Sequence, residues 1–193
     1  MPDRMDEYLV HQTREPLAVL ASDDPDWQEA IYFNAQDPGG ELSAIGGLEV
    51  LPNAGYVRAF FLTLQRGEHS TYMYAGPLGN WREELRAGTL SFSIVDPLKA
   101  WRFELADEAN GIHAELEFRA RCPAYSYAPI RCGSEGRLAI DQSYYSQAGV
   151  YTGTFRVGGR TFSRLQGLRA RRWGVLRMQQ LPFYHWISAD LGD

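Results

Sequence analysis

Leu90-Ser91-Phe92-Ser93-Ile94-Val95-Asp96-Pro97-Leu98-Lys99-Ala100-Trp101-Arg102-Phe103-Glu104-Leu105 is the stretch that decides the fold. Leu90, Phe92 and Ile94 alternate with Ser91, Ser93 and Val95, and period two marks a strand with one buried face. Asp96 to Lys99 makes a turn, after which Trp101, Phe103 and Leu105 alternate with Arg102 and Glu104. A third segment repeats the pattern, with Ile112, Ala114, Leu116 and Phe118 set against His113, Glu115, Glu117 and Arg119. Three such segments with short polar links predict an antiparallel meander. Its inward face carries Phe92, Ile94, Trp101, Phe103, Leu116 and Phe118.

Outward from this core the same reading continues. Trp27 to Asn34 is an aromatic strand closed by Asp37-Pro38-Gly39-Gly40. Leu42 to Val50 contains Gly46-Gly47, which points to a bulge or a close backbone approach. Pro52 to Gly55 turns the chain into a strand over Tyr56 to Leu64. Tyr144 to Val157 and Arg160 to Gln166 flank Gly158-Gly159, and two glycines between strands supply the positive φ angles of a hairpin turn. Helix is scarce. Asp3 caps a turn through Met5, Tyr8 and Leu9, and Asn80 with Glu83 resembles a capping box for a short helix through Leu85. About ten or eleven strands and at most two short helices favour a closed or nearly closed barrel. The organisation expected is one domain over 1–193, with an N-terminal extension at 1–25 and the barrel at 26–189.

Composition agrees. Of 193 residues, 45% are hydrophobic and 13% aromatic, enough for a sizeable core and too much for a disordered chain. A net charge of −5 argues against a general nucleic-acid binder. Met1 to Glu7 is charged, unlike a signal peptide, and the apolar run Tyr56 to Leu64 is too short to span a bilayer. A cytoplasmic setting is therefore expected, with Cys122 and Cys132 as free thiols.

Common catalytic signatures are missing. In Cys132-Gly133-Ser134-Glu135-Gly136 the first glycine is out of frame for a nucleophile elbow. No phosphate-cradling glycine loop precedes a helix, and His11, His69, His113 and His185 lack metal-ligand spacing. No cofactor and no metal are expected.

Two features stand out. Glu29 shares a strand face with Trp27, Ile31 and Phe33, so alternation sends its carboxylate toward the apolar side. It is either a strand-end acid that still reaches water or an inward acid paired with a cation or ligand, because an unpaired buried carboxylate is costly. In Arg169-Ala170-Arg171-Arg172-Trp173-Gly174-Val175-Leu176-Arg177, alternation puts Arg169, Arg171, Trp173 and Arg177 on one face. That face is either a solvated basic stripe on the outside, as charge runs usually are, or a lumen-facing set. In the second case guanidinium groups bind an oxygenated ligand beside an indole.

With these residues in view, the sequence resembles the lipocalin-like superfamily of carotenoid hydratases, AttH-type proteins and related cyclases, and above all a bacterial branch of it. The resemblance runs from Trp27 to about Trp186. It rests on Trp27-Gln28-Glu29, Pro52-Asn53-Ala54-Gly55-Tyr56, Asp96-Pro97-Leu98-Lys99-Ala100-Trp101-Arg102 and the stretch Gly167 to Arg177. Gly167, Arg169 and Trp173-Gly174 fit the branch's late motif, while Ala170 and Arg171 stand where relatives carry Asp and His. If those two residues move protons in relatives, that equipment is absent here. Relatives often carry two barrels in tandem, so an uncovered apolar surface and a homodimer are expected.

The resemblance implies an all-β, antiparallel lipocalin-like barrel with a cavity for a terpenoid, polyketide or lipid-like molecule. The leading function is binding of such an apolar ligand. A hydratase or cyclase using Glu29 and an interaction module with a filled core are the alternatives. The ligand-contacting set expected is Glu29, Trp27, Tyr32 and Trp101 from the early strands, with Arg169, Arg171, Trp173 and Arg177 from the late one. An open aromatic cavity holding Glu29 favours binding or chemistry. A filled core favours assembly.

Overall fold

The computed structural model describes residues 2–9, 22–78, 85–134, 136–183, 185 and 187. One 3-10 turn, Arg4–Glu7, precedes the strands. The first half of the sheet is β1 (Trp27–Gln36), β2 (Leu42–Leu51), β3 (Tyr56–Gln65), β4 (Glu68–Pro77), β5 (Leu85–Ala87) and β6 (Leu90–Asp96). The second half is β7 (Ala100–Asp107), β8 (Ile112–Ala120), β9 (Tyr125–Ser126), β10 (Ile130–Ser134), β11 (Arg137–Val157) and β12 (Arg160–Leu176). All pairings are antiparallel, in the order β4-β3-β2-β1-β12-β11-β8-β7-β6-β5, with β9 and β10 added to β11. The fold is all-β.

The meander forms in the expected register, with Phe92 opposite Phe103 and Trp101 opposite Phe118. Phe92, Trp101, Phe103, Leu116 and Phe118 are buried in the core, and Ile94 packs against it. Gly158 and Gly159, at φ 54° and 73°, join Val157 to Arg160 in a two-residue hairpin. At Gly46-Gly47 the ladder runs through without a bulge, so close approach is the reason for the glycines. A Cβ on Gly47 would lie 2.5 Å from the Ile31 carbonyl oxygen, and one on Gly46 2.7 Å from the Phe33 ring.

Strand β4 was not anticipated, and the helix expected from Asn80 lies outside the described residues, with Leu85 opening β5 instead. Among the described residues no backbone ladder joins β4 to β5, so the sheet is not closed by hydrogen bonds. Tyr72 spans the seam: its hydroxyl donates to the Ala87 carbonyl (3.3 Å) and accepts from Thr89 N–H (2.9 Å).

Aromatic rings meet in the middle of the barrel. Phe33 lies 4.7 Å from Phe103 and 5.7 Å from Phe61, which stacks on Phe103 at 5.6 Å. Each such ring contributes about 1.5–3 kcal/mol through burial. The middle of the interior, where a ligand cavity is expected, is filled by these rings.

Beyond Gly149 the β8–β11 ladder ends, and β9 and β10 take its place along β11. This extension of β11 beside β12 and β1 carries both sites described next, one on each face.

Candidate functional site

On the inner face, β1 and β12 pair with Ile31 opposite Arg171 and Phe33 opposite Arg169. Since Ile31 and Phe33 belong to the core, the two arginines point inward, and both are 0% exposed. The solvated-stripe alternative is thereby corrected for Arg169 and Arg171: the register with β1 turns them in. Arg171 Nη2 donates to Glu29 Oε2 at 3.0 Å, so the expected acid–guanidinium contact is present. Arg171 also donates to the carbonyls of Ala30, Asp6 and Tyr8.

Arg169 meets a carboxylate that the strand pattern does not show. Glu7, 0% exposed, receives Arg169 Nη1 at 2.6 Å and Nη2 at 2.5 Å in a two-pronged pair. Trp101 Nε1–H donates to Glu7 Oε2 (2.5 Å) and Leu98 N–H to Oε1 (2.6 Å). Gln147 Oε1 accepts from Arg169 Nε and Nη2, and its amide nitrogen donates to the carbonyls of Leu98 and Cys122. The guanidinium lies 4.1 Å from the Trp101 ring. Burial, then the negative charge of Glu7, pushes the Tyr145 hydroxyl well above the usual phenol range. Burial does the same to Tyr151.

The remaining expected residues divide. Trp27 is buried opposite Val175, and Trp173 is half-buried opposite Glu29, on this inner face. Arg177 lies past the end of β12 and does not join the cluster. It binds Asp24 (2.6 Å), Asp26 (2.6 Å) and the Leu138 carbonyl (2.8 Å), and the Asp24 hydrogen bond holds it above its ordinary pKa.

Tyr32 is on the other face, and there the structure has a cavity of about 160 Å³. Its floor is Ala170, which pairs with Tyr32 on one side and Ser146 on the other. A small side chain in that row leaves the space. Tyr32, Tyr127, Tyr144, Ile130 and Ile140 form the walls, and Gln142 and Arg172 supply polar groups. Tyr127 stacks on Tyr144 at 4.1 Å and shares a hydrogen bond with Ser146 (2.9 Å). Arg172 reaches across Ala30 to Glu49 Oε1, while Arg58 takes Glu49 Oε2. Two guanidinium groups thus share one carboxylate, with Arg172 on the pocket side. Among the described residues, buried Arg172 Nε and Gln142 Nε2 have no hydrogen-bond partner, and Gln142 is only 8% exposed.

Sequence reasoning missed Glu7, Gln142, Tyr127 and Tyr144. One signal for Glu7 was charge counting, since an inward face with two arginines and one strand acid needs a second carboxylate. Cys122 and Cys132 are exposed free thiols. Among the described residues no group of three or more acids, histidines or cysteines could hold a metal ion, and no helix is long and apolar enough to cross a membrane.

Residues 3–183 match a family of unknown function, DUF8625, and the chain belongs to it. No curated protein matches. Among solved structures, the chain is similar to an AttH-like protein from Nitrosomonas europaea, at TM-score 0.63 and 13% identity over 79% of this chain and 52% of that one. It is also similar to kievitone hydratase from Nectria haematococca, at TM-score 0.52 and 14% identity over 76% of this chain and 47% of that one. The chain spans about half the length of each, and the likeness shows a shared fold.

Proposed function

We propose that this member of the family binds a small aromatic molecule carrying a carbonyl or phenolic oxygen, in the tyrosine-walled pocket on the outer face of the sheet. The observation that carries the reading is the pair of buried, unpartnered donors, Gln142 Nε2 and Arg172 Nε, in that pocket. A buried donor without a partner costs about 1–3 kcal/mol, and a ligand oxygen that reaches either one relieves it. The Arg172 guanidinium favours a strongly polarised oxygen. Size sets the other limit, since a cavity of about 150 Å³ accommodates benzene, so one substituted ring fits.

Binding is favoured over hydration or cyclisation by the lining itself. Among its described residues the groups able to carry a proton are the phenols of Tyr32, Tyr127 and Tyr144, with no acid, histidine or cysteine as a base beside them. On the inner face Glu29 is paired with Arg171 rather than offered to a substrate. Glu29, Trp27, Trp101, Arg169, Arg171 and Trp173 accordingly act as the closure of the barrel, and Tyr32 as the member of the expected set that meets this ligand.

Titration calorimetry with 4-hydroxyacetophenone tests the reading. One saturable site is expected, weakened about ten-fold in Gln142→Met, the loss of roughly one hydrogen bond. Cyclohexanol should not bind. Equal affinity of the wild type and Gln142→Met would remove the pocket from the account.

A further inference from the structure

We infer that the barrel mouth is a receptor for a free aliphatic carboxylate, and that Glu7 occupies it as the chain's own stand-in for that ligand. The site recognises a carboxylate and little else of the glutamate. Arg169 Nη1 and Nη2, Trp101 Nε1 and Leu98 N supply four donors to the two oxygens, which is about the full acceptor capacity of a carboxylate. Gln147 fixes the fork of Arg169 from behind, and the Trp101 ring faces the guanidinium. This receptor stands on β7, β11, β12 and the turn before β7, so it does not depend on the segment that fills it.

The occupant is held differently. Glu7 ends a single 3-10 turn whose capping box, between Asp3 and Asp6, is internal to the segment. Asp3, Arg4, Met5 and Tyr8 are exposed. Among the described residues its ties to the barrel include the Glu7 carboxylate, the Arg171 bonds to the Asp6 and Tyr8 carbonyls, and Leu9, which sits in the core. Glu29, the carboxylate paired with Arg171, belongs to a central strand and has no such route out. Exchange is restricted by charge: removing Glu7 leaves the buried guanidinium unpaired unless the incoming molecule is itself an anion. An acid group followed by an aliphatic stretch reproduces what the segment places there, the Glu7 carboxylate and then Leu9 in the apolar core. The ligand class is a straight-chain monocarboxylate. This inference does not rest on the outer pocket.

The test uses sodium octanoate and the full chain, read at the Trp101 indole N–H resonance and by thermal melting. In the wild type, octanoate should shift that resonance saturably while the Gln142 side-chain amide stays fixed. In Glu7→Gln the competing carboxylate is replaced by a neutral amide, so octanoate should bind at least about ten-fold more tightly. Should Glu7→Gln fold poorly alone, octanoate should raise its melting temperature. Octan-1-ol should do none of this. The inference is overturned if octanoate leaves the Trp101 resonance in place and Glu7→Gln unprotected, or if octan-1-ol acts as well as octanoate.

Discussion

Arg169 and Arg172 stand three residues apart on one strand, beside an indole in one case and phenols in the other, yet they face opposite sides of the sheet. Every nitrogen of Arg169 is engaged, by Glu7 and Gln147. Arg172 shares its carboxylate with a second arginine and keeps Nε without a partner, as does Gln142 its amide nitrogen. The contrast teaches that a buried cation is informative through what its hydrogen bonds leave over. The Glu7–Arg169 pair is satisfied within the chain, so a ligand enters there only in exchange for Glu7, whereas unsatisfied donors in an aromatic cavity call for an outside acceptor directly.

The sharpest way to break this contrast is at the mouth. Glu7→Ala leaves Arg169 buried without a carboxylate and should cost about 3–5 kcal/mol in chemical denaturation. Adding Arg169→Met should recover most of the loss, because two apolar groups need no partner. If Glu7→Ala costs no more than a surface substitution, the mouth is wet and the contrast is lost.

A smaller effect is expected at high pH. Below the ordinary phenol pKa of about 10, Tyr145 is protonated whether folded or not and contributes no pH dependence. Above it the unfolded chain ionises first, while burial and Glu7 keep the folded hydroxyl protonated, so stability falls as pH rises past that point. Tyr145→Phe should make the alkaline limb of a stability–pH curve shallower, leaving the part due to Tyr151. An unchanged limb would mean that Tyr145 is not sealed in.

The pocket should respond the other way. Gln142→Met removes an unsatisfied buried amide nitrogen and should stabilise the fold by about 1 kcal/mol while it weakens ligand binding. Smallest in stability is Ala170→Leu, which fills the pocket floor: it should abolish binding with a change of about 0.5 kcal/mol or less, as at open sites. A large loss of stability in either variant would show that the pocket is part of the packing.

Much of the fold was legible because alternation and turn chemistry are local. Leu90 to Phe118 and the Gly158-Gly159 hairpin carry their own registers. Strand β4 was not legible: His69, Ser70, Thr71, Tyr72, Met73 and Tyr74 mix polar and aromatic residues, and one face is exposed while the other is only half-buried, as an edge strand allows. Alternation set Glu29 on the apolar face and grouped Arg169 with Arg171, but it does not say which face of a charged strand is inside. The pairing of Phe33 with Arg169 says so, and that is a long-range fact. Glu7 was hidden because a single acid in a one-turn segment has no period. Gln142 was hidden because an unsatisfied donor exists only once its neighbours are placed.

A small oxygenated aromatic should enter the outer pocket and leave the mouth untouched. Titrating 4-hydroxyacetophenone into labelled protein reads both places at once. Saturable shifts are expected at the Gln142 side-chain amide and Arg172 Nε–H, with the Trp101 indole N–H unmoved. Movement of Trp101 while Gln142 and Arg172 stay fixed, or no saturable shift at either place, would contradict it.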